Sequence, residues 1–103
     1  MRRTCVLLAA TQLFLGCEYK LTPHENFVDG LIENTAGYDI RKFRDFENFV
    51  QTPLPNGNIE FRLTRRFFPA KNPCSLIYEV DAATYKIVRA RYEGADSDCI
   101  LPP

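Results

Sequence analysis

Ile59-Glu60-Phe61-Arg62-Leu63-Thr64, residues 59 to 64, decides the fold. Ile59, Phe61 and Leu63 alternate with Glu60, Arg62 and Thr64, the two-residue period of a strand with one buried face, and the pattern runs on towards Phe67. Pro69 to Pro73 breaks it. Leu76, Tyr78 and Val80 then alternate with Ile77 and Glu79, and Asp81-Ala82-Ala83-Thr84 supplies a tight reversal. Tyr85 to Tyr92 returns, with Val88, Ala90 and Tyr92 on one face, and Gly94 ends the run. Three consecutive strands with short links predict an antiparallel meander with the 74–81 strand in the middle.

Upstream, Thr52-Pro53-Leu54-Pro55-Asn56-Gly57 is turn chemistry that opens into the strands. Between Tyr38 and Val50, Ile40, Phe43, Phe46 and Val50 follow helical spacing against a charged side, so a short second helix is expected, ending before Pro53. Its aromatic stripe of Phe43, Phe46 and Phe49 reads as core in preference to a partner-binding face. Thr22-Pro23-His24-Glu25 is a helix start: Thr22 caps, Pro23 fits the first position, and Glu25 completes a capping box. Phe27, Val28, Leu31 and Ile32 share one face, and Ala36-Gly37 gives the stop, which predicts a helix over about 23–35. With the helices laid on the meander's apolar face, the whole is an α+β domain in the order ααβββ.

The first seventeen residues have a different character. Arg2 and Arg3 precede an apolar core of about ten residues, Val6 to Leu15, short of the roughly 20 needed to span a bilayer as a helix. Leu13-Phe14-Leu15-Gly16-Cys17 resembles the lipobox of bacterial lipoproteins, with Phe14 where leucine is usual. The resemblance implies a signal peptide over 1–16, a lipidated Cys17 with a short tether over 17–21, and a single domain over 22–103. A buried apolar helix in a cytosolic domain fits the tripartite pattern less well. Glu18, instead of the aspartate that often marks inner-membrane retention in enteric lipoproteins, favours the outer membrane, on its periplasmic side.

Charge and cysteines follow from that division. The chain holds 13 basic and 13 acidic residues, and removing Arg2 and Arg3 leaves 11 against 13. Such a balance argues against nucleic acid as a partner. Cys5 leaves with the leader and Cys17 takes lipid, so Cys74 and Cys99 remain as a pair, expected to form a disulfide in an oxidising compartment. A metal site is the weaker reading, since two cysteines 25 apart lack a second pair and His24 is the one histidine.

Candidate chemistry is sparse. Arg62 and Arg66 on the first strand, Arg89 and Arg91 on the third, and Glu79 between them form a possible binding surface for a phosphate headgroup, a glycan or an acidic protein. The alternative, cross-strand pairing on a solvated face, is favoured. His24 has no nucleophile tied to it by motif, Ser75 and Ser97 lie in no G-x-S-x-G context, and Asp96 and Asp98 sit in a turn-rich tail. No catalytic residue, cofactor or metal site is assigned, and a non-enzyme is expected.

Asn56-Gly57-Asn58, Tyr78-Glu79-Val80-Asp81 with Thr84, and Glu93-Gly94 followed by Asp98-Cys99 resemble a group of small bacterial envelope lipoproteins with a paired-cysteine sheet. In that group glycine follows the Asp-x-x-Thr turn; Tyr85 stands there in this chain. The lipobox with the ααβββ order also resembles, more distantly, the small accessory lipoprotein of the outer-membrane β-barrel assembly machinery, which implies a non-enzymatic scaffold. The function expected is that of a lipid-anchored envelope domain that binds membrane lipid through its acylated cysteine and an envelope protein partner. The alternative is an inhibitor or immunity-type binder of an envelope hydrolase, using the loop from Pro69 to Pro73. An enzyme acting on envelope polymers is the least favoured.

Overall fold

The computed structural model describes residues 21 to 102. The expected signal peptide, the lipidated Cys17 and most of its tether lie outside the described residues. Thr22 caps α1 (Pro23–Phe27) as its sequence predicts: its hydroxyl accepts from the Glu25 N–H at 3.1 Å, and the Glu25 carboxylate accepts from the Thr22 N–H at 3.0 Å. The helix does not reach residue 35. It widens into a π turn over Val28–Ile32 and stops where Asn34 takes a left-handed φ of 65°. The Tyr78 hydroxyl donates to the Leu31 carbonyl at 2.6 Å, satisfying one of the acceptors that a helix end leaves open.

The second helix is absent, and this corrects the ααβββ expectation. In its place stand two short 3-10 turns, Ile40–Lys42 and Phe46–Asn48. The backbone from 37 to 40 is engaged elsewhere: Gly37 N–H donates to the Ile87 carbonyl, Ile87 N–H to Tyr38, and Ile40 N–H to Tyr85. Those bonds cannot also serve a helix. Ile40, Phe43, Phe46 and Phe49 in fact repeat every three residues, the period at which 3-10 side chains eclipse.

A fourth strand is the other correction. The sheet runs β1 (Val50–Pro53), β2 (Ile59–Arg65), β3 (Cys74–Val80) and β4 (Ile87–Glu93), antiparallel throughout and in sequence order. The Asn56-Gly57 segment closes a β1–β2 hairpin whose register pairs Val50 with Arg62 and Pro53 with Ile59. Proline is tolerated there because β1 is an edge strand. β3 lies between β2 and β4, as the meander predicted.

Ile59, Phe61 and Leu63 of β2 pair in register with Val80, Tyr78 and Leu76 of β3, and Tyr92, Ala90 and Ile87 of β4 continue the same face. Phe27 of α1 fits against this face, its ring centroid 5.3 Å from Phe67 and 5.5 Å from Tyr92. The 3-10 segment adds an aromatic layer: Phe43 meets Tyr78 at 5.4 Å, Phe49 meets Phe61 and Tyr78, and Phe46 stacks on Phe61. These rings are therefore largely core, packed in the tilted and edge-on geometries aromatic pairs prefer.

The Cys74–Cys99 bond forms as expected, with Cα atoms 5.3 Å apart. It ties the tail to the start of β3. The tail is also sewn to α1, through Leu101 N–H to the Pro23 carbonyl at 2.9 Å and Asn26 Nδ2 to the Leu101 carbonyl at 3.2 Å.

Candidate functional site

Strand alternation places Arg62, Glu79, Arg89 and Arg91 together on the outer face of the sheet, as the sequence predicts, with Glu60 and Glu93 among them. Arg66 lies beyond the end of β2, exposed and without an ion pair among the described residues. The centre of this face is Ile77, only 3% exposed although it points away from the core. Its register partners on either side are Arg62 and Arg91, whose aliphatic stems are placed to cover it while their charged ends stay in water.

Those ends form a closed ring with two carboxylates. Arg62 reaches Glu93 at 3.0 Å and Glu60 at 3.5 Å, and Arg91 reaches Glu93 at 2.8 Å and Glu60 at 3.8 Å. The hydrogen bonds from Arg91, then Arg62, hold the Glu93 carboxyl below the usual carboxylate range. Glu79 is similarly occupied. Its carboxylate accepts from Asn58 Nδ2 at 2.6 Å, Asn56 Nδ2 at 2.9 Å and Arg89, and these bonds, Asn58 first, lower its pKa. Three arginines meet three glutamates on this face, so it presents no surplus of positive charge to an anion.

His24 is only 25% exposed at its side chain and is not free. Its Nδ1 lies 2.8 Å from the Cys99 carbonyl, which can only accept, so that nitrogen carries hydrogen. Nε2 lies 3.2 Å from the Tyr92 hydroxyl and 3.6 Å from Asp96. Sequence gave no sign of this, because the partners are 75 and 68 residues away. Ser75 shares a hydrogen bond with Thr64 at 2.6 Å, and Asp98 accepts from the Asn72 N–H at 3.2 Å. Each polar group that sequence offered as a catalytic candidate near the disulfide thus has a structural partner, save Ser97, for which the geometry offers no role. Among the described residues no group of three or more His, Cys, Asp or Glu could hold a metal ion.

The inner face holds the site that sequence reading missed. A cavity of about 370 Å³ opens between the 3-10 segment and the sheet, lined by Leu31, Phe43, Phe49, Leu63, Leu76 and Tyr78, with Phe67 and Leu101 completing the apolar lining. Tyr38, 44% exposed, stands at its mouth with its ring 5.2 Å from Phe43. The rim carries Lys42, Arg44, Asp45 and Arg65. Asp45 pairs with Arg65 at 3.3 Å, and the Arg65 guanidinium also lies 5.0 Å over the Phe67 ring. Lys42 and Arg44 are left without an ion pair among the described residues, so the rim is net positive. The Tyr78 hydroxyl is committed to Leu31, and burial raises its pKa.

A third feature is the β2–β3 loop. Phe68 is 85% exposed before a cis Pro69, flanked by Arg66 and Lys71. The loop is braced by Asn72 on Asp98 and by the disulfide at Cys74. Comparison with known protein families, with curated proteins and with solved structures finds no match to the chain.

Proposed function

We propose that this chain is a lipid-anchored cell-envelope protein that acts as a non-catalytic binding domain close to a membrane, acylated at Cys17 after export. The observation that carries the reading is the gathering of features at one end of the molecule. Pro23 is tied to Leu101, His24 to Cys99, Cys99 to Cys74 and Asp98 to Asn72, so the start of α1, the disulfide and the Phe68 loop are neighbours. From Leu21 the chain can run back to Cys17 over at most roughly 15 Å. An acylated Cys17 therefore holds this end against the bilayer. An exposed aromatic ring with flanking cations suits the headgroup layer. The disulfide supports an oxidising compartment.

Crosslinking from position 68 in native-host cells, with the wild-type chain and with Cys17→Ser, tests the reading. The expected result is that the wild type crosslinks to lipid and to a resident envelope protein, and that the variant loses the lipid adducts and leaves the membrane fraction. Retention of a processed Cys17→Ser chain in the membrane would refute the anchor. A second reading, an inhibitor or immunity-type binder of an envelope hydrolase, is supported by the same braced loop with its projecting Phe68. Capture of a hydrolase at position 68 would favour it.

A further inference from the structure

We infer that the inner-face cavity is a binding site for a single-chain anionic amphiphile, a fatty carboxylate, with the acyl chain among the aromatic rings and the carboxylate at Lys42 and Arg44. Three observations converge. The walls are apolar, and the one buried hydroxyl among them already donates to Leu31, so the interior offers no polar group to a ligand. The mouth carries a net positive charge although the chain as a whole balances 13 basic against 13 acidic residues. Lys42 at the end of the first 3-10 turn and Arg44 two residues on make no ion pair among the described residues. The size is limiting: about 370 Å³ is at the small end for ligand pockets and holds roughly ten chain atoms at about 30 Å³ per water-sized group. A two-tailed phospholipid does not fit, and a neutral hydrocarbon would leave the rim cations unused.

The site is independent of the anchoring reading, because it lies among described residues and needs no modification of Cys17. Its failure would leave that reading standing, and the reverse also holds.

The test is a titration of the full chain with octanoate, decanoate, dodecanoate and tetradecanoate, each below its micelle concentration, read by calorimetry and by amide chemical shifts. Affinity is expected to rise by about fourfold per methylene, then level off near ten to twelve carbons as the cavity fills. The shifts should centre on Leu31, Phe43, Phe49, Leu63 and Tyr78. Decanol should bind at least about tenfold more weakly than decanoate, and the exposed pair Lys42→Glu and Arg44→Glu should weaken decanoate by a similar factor. Leu63→Trp, which fills the cavity, should abolish binding. The charge pair keeps the test valid if that variant fails to fold.

Several results would overturn the proposal. They are equal binding of decanol, affinity that keeps climbing with chain length, and shifts spread over the outer face or confined to the Phe68 loop. Concentration-dependent dimerisation that shifts the same amides without ligand would give the cavity to a second copy. Perturbation of leader amides on adding decanoate, with no net gain in binding, would give it to residues 6–15 of this chain.

Discussion

Gly94 follows β4 with a φ of 145°, and a Cβ added there would lie 3.0 Å from the Cys99 sulfur and 3.3 Å from the Cys74 Cα. Both the backbone angle and the space require glycine, and neither requirement is visible without knowing that the two cysteines meet beside it. Gly94→Ala is expected to lower stability by about 1–3 kcal/mol, measured as a shift in the urea midpoint. A midpoint equal to wild type would mean that the disulfide end is looser than described. Tyr85 shows the opposite economy. It adopts a left-handed φ of 63° without being a glycine. The ring is held between Phe61, 6.2 Å away, and the Arg41 guanidinium, 4.8 Å over its face, contacts that a glycine could not make.

At the scale of elements, what is local was legible and what is long-range was not. The Thr22 capping box, the β2 and β3 alternation and the Asp81 reversal are written in nearby residues. On β4, by contrast, the irregularity opposite Glu79 and Val80 turns Ile87 inward and leaves Val88, expected on the face of Ala90 and Tyr92, exposed. Asp81 Oδ1 accepts from the Ala83 and Thr84 N–H groups, as such a turn should. The 40–49 segment misled because a three-residue period resembles 3.6 over a short window, and its backbone bonds to residues 85 and 87 are invisible from nearby. β1 was hidden by Pro53, although Asn56-Gly57 between two pairing segments is a hairpin signal. The cavity needs five separate segments to form, so no local pattern could announce it.

Two carboxylates organise these turns, and with Glu79 and Glu93 they shape the acid response. Asp39 accepts from the Arg41 backbone N–H at 2.9 Å and from its guanidinium at 2.9 and 2.8 Å, and these bonds, the side-chain pair first, lower its pKa from 3.8 to about 2. The Thr84 and Ala83 N–H groups lower Asp81 in the same direction. A carboxylate with a depressed folded pKa contributes stability above its unfolded value, and that contribution is lost as pH falls through the folded one. The thermal midpoint should therefore hold steady down to about pH 4 to 5 and fall between about 4 and 2. Asp39→Asn should start lower at neutral pH and fall less steeply in that window. An unchanged acid slope in the variant would contradict the role given to Asp39.

For the whole molecule, the disulfide does what a small core cannot. β3 is buried along nearly its full length while β1 is exposed throughout, so the core is gathered about the central strand, and the disulfide ties the tail to the start of that strand. Closing a loop across 25 residues should stabilise the fold by roughly 3–4 kcal/mol in the chain-entropy model. Cys74→Ser and Cys99→Ser should each cost about that much, and the double variant little more, as read by denaturant melts. Additive losses would contradict a shared bond. The pairing was legible from the cysteines only once Cys5 and Cys17 were assigned to the leader and the lipid, and the balanced ring of Arg62, Arg91, Glu60 and Glu93 only once register placed them around Ile77.

The central claim is that an exported domain is held by an acylated Cys17 at an oxidising membrane surface. Intact-mass measurement of the protein from its native host tests it most directly. The account predicts a chain that begins at Cys17, carries the added mass of acyl groups, and is two hydrogens lighter for the Cys74–Cys99 bond. A mass that retains Met1 to Gly16, with all four cysteines reduced and no lipid, would contradict it.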